Sequence, residues 1–86
     1  ERVGDIASKQ GDKYWYVKGE LAFADGNFRE ALGFYNKAIA TYLWVPEYHS
    51  RISQCLSELG RPTESERAMD WANLIQGKIN KENKID

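Results

Sequence analysis

The side chains able to do chemistry in this chain are few, and their spacing works against catalysis. The single His and the single Cys, His49 and Cys55, stand six residues apart. On a helix that separation turns about 240° around the axis, so imidazole and thiol face away from each other and cannot form a nucleophile-base pair. No His/Cys cluster has metal-ligand spacing. Each Gly is isolated, so no phosphate-cradling loop is present. Carboxylates are numerous, yet "SELGRPTESER" reads as solvated helix ends, with Thr63 placed to cap and Glu64 and Glu66 placed in a first turn. Cys55 in "ISQCLSEL" reads as a small buried hydrophobe, and His49 as a packed or partly exposed ring rather than a metal ligand. The chain is therefore expected to be no enzyme and to hold neither metal nor cofactor.

What is left is contact chemistry, carried by aromatic and charged side chains that a scaffold must hold in place. At 86 residues the chain suits one small domain, which buries only about 60–65% of its unfolded surface and so needs a core dense in large side chains. Three Trp, five Tyr and three Phe supply that density, and 42% hydrophobic content argues against disorder. Twelve Lys and Arg against 13 Asp and Glu leave a net charge of −1 with no block of like charge, which removes the electrostatic footprint of a nucleic-acid binder. No apolar run exceeds four residues, as in "YLWV" at 42–45, which is far too short to insert in a membrane. One Cys excludes an internal disulfide and fits a reducing, cytoplasmic setting. The chain opens at Glu1, as an internal piece of a longer protein would.

Nothing alternates with period two for long, and Ala, Leu, Glu, Lys and Arg fill the intervals between Gly and Pro, so helix is expected throughout. Breaks fall at Gly11-Asp12, Asp25-Gly26-Asn27, Val45-Pro46 and Gly60-Arg61-Pro62. Pro46 and Pro62 fit the first turns of new helices, and Gly26 and Gly60 fit the left-handed position after a helix. The predicted helices are 2–10, 13–25, 28–43, 46–59 and 63–77, five in all. Links this short force neighbours to run antiparallel.

Sliding the chain by the 34 residues between Gly26 and Gly60 aligns Tyr14 with Tyr48, Glu30 with Glu64 and Ala38 with Ala72. Small residues then meet small ones, Gly19 with Ser53 and Ala31 with Ser65, and bulky ones meet bulky ones, Trp15 with His49 and Tyr35 with Met69. Small residues let helix backbones approach closely while large ones fill the space beside them.

With Trp15, Gly19, Ala31, Tyr35 and Ala38 in these places the chain resembles the tetratricopeptide repeat family, whose 34-residue unit follows W-x2-L-G-x2-Y…A-x3-F…P. Lys18 and Ala22 depart from the expected Leu and Tyr, with Phe23 as a neighbouring substitute for the latter. The second unit is more worn, with His49 for Trp, Ile52 for Leu and Ser53 for Gly. The resemblance implies an all-α fold of antiparallel helix-turn-helix repeats stacked as a short right-handed α-solenoid of about five helices. Residues 1–11 would be the end of a preceding helix or a cap, 12–45 repeat 1, 46–79 repeat 2 and 80–86 a polar tail, all within the single TPR-like domain 1–86.

The resemblance also implies a concave groove lined by the first helix of each unit. Helical spacing from Trp15 and Gly19 places Lys13, Tyr16, Glu20 and Phe23 on that face, and Glu47, Ser50, Arg51, Gln54 and Ser57 beside them from the second unit. The expected function is a scaffold that binds a peptide segment or helix of a partner protein there. Chaperone adaptors of the family grip a terminal carboxylate with Lys, Asn and Arg, but Glu20 falls in that set and would repel it, leaving Arg51 as the one match. Two alternatives stay open: a structural or oligomerising element that self-associates through its terminal helices, and an accessory helical domain of a larger enzyme.

Overall fold

The computed structural model describes residues 2–83, with side chains over 11–81. Among these residues every element is helical: α1 Arg2–Ala24, α2 Phe28–Thr41, α3 Pro46–Glu58 and α4 Pro62–Asn83. The break expected at Gly11-Asp12 is present as a kink, where two helices meet and run on as the single element α1. Gly11 takes φ 71°, ψ 167°, a left-handed conformation a Cβ would resist, and bends α1 into a pair of rods without an intervening loop. Counted as continuous elements, the described residues form four helices where five were expected, the first of them two helices joined at the Gly11 kink. Residue 1 of the expected cap and residues 84–86 of the expected polar tail lie outside the described residues.

The helix ends follow local chemistry with small departures. α2 stops at Thr41 rather than 43 because Tyr42 is already extended, at φ −152° and ψ 113°, while its N–H still closes on Ala38 O. Val45 is extended as well, as the residue before a proline must be, and Pro46 opens α3. α4 begins at Pro62, so Thr63 lies inside the first turn and is not its cap. It also runs past 77 to Asn83. An internal glycine such as Gly77 costs a helix only about 1 kcal/mol, and Ile79 lies one turn beyond the buried Ile75 on the same stripe.

The two turns between paired helices share their closing bonds at an offset of 34. Asn27 N–H reaches Ala22 O at 2.9 Å and Arg61 N–H reaches Leu56 O at 2.8 Å, while Gly26 N–H reaches Phe23 O at 3.0 Å and Gly60 N–H reaches Ser57 O at 3.1 Å. Both are Schellman closures, with the glycines at φ 80° and 79°. Each helix packs on its neighbour in the chain, α1 on α2, α2 on α3 and α3 on α4. Ala22, Ala31, Tyr35, Ile52, Cys55, Leu56 and Ala68 join these contacts into one core, with Tyr35 and Cys55 fully buried. A Cβ placed on Gly19 would stand 2.6 Å from the Tyr35 ring, so the absence of a side chain here is what lets that ring lie against α1.

Candidate functional site

The core described above brings one face of α1 beside one face of α3. Tyr16, Glu20 and Phe23 rise at intervals of four and three along α1, and Arg51 and Gln54 at an interval of three along α3, so each set shares a side of its helix. Across the seam Arg51 Nε donates to Glu20 Oε1 at 2.8 Å and Nη2 donates to Oε2 at 3.3 Å, a forked pair. Nη1 donates to Gln54 Oε1 at 2.7 Å. The Tyr35 hydroxyl reaches up from α2 and donates to the same Glu20 oxygen. The guanidinium carbon lies 5.1 Å from the centre of the Phe23 ring, within cation-π range. The Tyr16 ring sits between Tyr35, at 5.8 Å, and Tyr48, at 4.9 Å. Tyr48 is fixed in turn by its hydroxyl, which donates to Asp12.

The electrostatics follow from partial burial around one carboxylate. Burial alone would push Glu20 up, but the hydrogen bonds from Tyr35 and Arg51 outweigh it and hold the carboxyl below its usual value. Burial, reinforced by Glu20, pushes the Tyr35 hydroxyl well above its ordinary range and raises Tyr16 too. Burial and the bond to Asp12 do the same to Tyr48. Arg51 is held more firmly protonated, chiefly by its hydrogen bond to Glu20. Cys55, beneath the seam, is pushed up to about 11 by burial, which leaves it a thiol rather than a nucleophile.

Of the residues placed on the groove face from the sequence, Tyr16, Glu20, Phe23, Arg51 and Gln54 come together. Lys13, Glu47 and Ser57 are exposed, and Ser50 is half-buried. Among the described residues no side-chain hydrogen bond ties Ser50 to the cluster. Lys13 stands apart from the ion pair, at the rim of a recess of about 290 Å³ shared with Tyr16, Val17, Val45, Glu47 and Tyr48. Tyr16 and Phe23 also pack on the core, so each has one face in the scaffold and one toward solvent. Arg51 is committed to Glu20, which takes its forked donors away from any carboxylate arriving from outside.

Two contributors escaped helical spacing. Tyr35 reads as a filler along the chain, yet a buried tyrosine hydroxyl needs an acceptor, and Glu20 was the carboxylate on the adjoining face. The Tyr48–Asp12 bond joins residues 36 apart, and nothing in the local pattern announces it. His49 is buried, stacks on Trp71 at 5.6 Å and 17°, and places Nε2 2.9 Å from Leu43 O.

No protein-family model, curated protein or solved structure matches the chain. Among the described residues no helix is long and apolar enough to cross a membrane.

Proposed function

We propose that the chain is a protein-interaction scaffold, built of two tetratricopeptide-like units in the manner of a short right-handed α-solenoid, that holds a peptide segment of a partner protein across the α1–α3 face. The observation that carries this reading is the convergence of Tyr16, Glu20, Phe23, Arg51 and Gln54 from two helices onto one partly exposed surface, with rotamers locked by mutual bonds. A surface of rigid aromatics beside satisfied polar groups offers contact area at low entropic cost. The closing bonds that the turns share at an offset of 34 support the repeat architecture. A free, buried Cys55 is in keeping with a reducing, cytoplasmic setting.

The test is amide chemical-shift mapping with peptides selected by display of a random dodecapeptide library on the purified chain. Shifts concentrated at Tyr16, Glu20, Phe23, Arg51 and Gln54 are expected; shifts confined to the outer surface of α2 or α4 would overturn the assignment.

A second reading, self-association, is favoured by a different feature. Tyr42, Trp44, Trp71 and Leu74 are all 41–56% exposed. Trp44 and Trp71 are in edge-to-face contact at 6.3 Å. Sedimentation from low to high micromolar concentration separates the two, because association through this patch requires a concentration-dependent mass that Trp71→Glu abolishes.

A further inference from the structure

The recess beside the ion pair is a different kind of surface from the cluster itself. Its walls are the Tyr16 and Tyr48 rings, Val17 and Val45, and its rim carries one cation, Lys13, and one anion, Glu47. The walls are set before any ligand arrives: Tyr48 is tied to Asp12, Tyr16 is held between two tyrosine rings, and Val45 is extended backbone leading into Pro46. Its volume of about 290 Å³ lies just under the ~300–1,000 Å³ of small-molecule sites, and a sealed apolar cavity of roughly 150 Å³ already holds a benzene ring. It therefore suits one large apolar side chain better than a whole cofactor. Lys13 and Glu47 are both exposed and form no ion pair with each other.

We infer that this recess is the specificity pocket of the groove, and that it takes a large aliphatic side chain from an internal stretch of peptide, flanked by an acidic residue on the Lys13 side and a basic residue on the Glu47 side. The inference rests on the peptide-binding reading of the α1–α3 face. A free C-terminus is disfavoured because Glu20 already occupies Arg51, so no unpaired fork awaits a terminal carboxylate. A continuous chain bearing both signs matches a rim bearing both signs, and the polarity of those charges sets which way the peptide runs.

The experiment uses acetylated and amidated nonapeptides with Leu at the centre and Glu, Lys or Ser two residues to either side, in both orders, read by fluorescence polarisation. One mixed-charge order is expected to bind best, with each flanking charge contributing about two- to fivefold over Ser. Replacing the central Leu by Ser is expected to weaken binding at least about tenfold. The double swap K13E/E47K is expected to reverse the preferred order, and Val17→Asp, at a position 54% exposed and so tolerable to the fold, is expected to abolish the preference for Leu. Retention of the same order by the double swap, or of the Leu preference by Val17→Asp, would overturn the inference. If no nonapeptide binds while display-selected peptides still map to the α1–α3 cluster, the pocket falls and the groove stands; if neither binds, both fall.

Discussion

The hairpin of α1 and α2 and the hairpin of α3 and α4 solve one packing problem with opposite chemistry. In the first, Gly19 has no side chain, and the Tyr35 ring lies on its backbone, wholly buried. In the second, Ser53 stands at the place of Gly19 and meets Ser65, which stands at the place of Ala31. Each hydroxyl donates to the other residue's carbonyl at 2.9 Å, and the two oxygens stand 2.8 Å apart. The place of Tyr35 is taken by Met69, which is 37% exposed. Close approach thus needs only a small residue at the crossing, whether its partner is an aromatic face or a second hydroxyl. The aromatic solution also delivers a phenol to the α1–α3 seam, which Met69 has no means of doing. The first hairpin builds the site, and the second supports it through Arg51 and Gln54.

The largest test of that contrast is truncation at the two equivalent positions. Tyr35→Ala should cost about 3–5 kcal/mol, the range for emptying a core aromatic, whereas Met69→Ala should cost under about 1 kcal/mol, both read from urea unfolding. Comparable losses would mean that the hairpins are not divided as described. Gly19→Ala comes next, because its methyl would meet a buried ring that cannot give way; about 1–3 kcal/mol is expected from overpacking. Smaller still is the serine pair. Ser53→Ala and Ser65→Ala should each cost about 0.5–1.5 kcal/mol, and the double variant less than their sum, since no hydroxyl is then left to satisfy.

The pH response should separate the hairpins with the smallest amplitude. Glu20 is held below its usual value of 4.5, so its stabilisation is present above that value and is lost as pH falls through the folded-state pKa. Tyr35 is held above its usual value of 10.0, so its stabilisation is present below pH 10 and is lost as pH rises beyond it, when the unfolded chain ionises first. In thermal melts across pH, Glu20→Gln should flatten the acid limb and Tyr35→Phe a portion of the alkaline limb. Glu20 is a third exposed, so solvent screening keeps the acid effect modest. Neither limb should change in the S53A/S65A double variant.

Local chemistry was enough to place the turns. A glycine free to adopt positive φ, followed by a chain reversal, reads directly at Gly26 and Gly60, and prolines one residue into a helix read at Pro46 and Pro62. Gly11 reads in the same way: its positive φ interrupts the helix at the expected place, and with no linker after it the two helices abut at a kink within one element. On the site, helical spacing found Tyr16, Glu20 and Phe23 on one face, since that is a property of a single helix. It grouped Lys13 and Ser50 with them too; Lys13 lines a recess together with Tyr16, and among the described residues no side-chain hydrogen bond ties Ser50 to the cluster.

By itself, then, the order of residues determined helix type, turn positions and the size pattern at the crossings, because each depends on contacts within a few residues or on volume alone. Only the tertiary structure decided which charges meet. Glu20 and Arg51 are 31 positions apart and Tyr48 and Asp12 are 36 apart. Such pairs exist because helices distant in sequence are held side by side by a core that includes Tyr35, whose hydroxyl also reaches Glu20. A pattern read along one helix carries the direction of a side chain, but not what another helix brings to meet it.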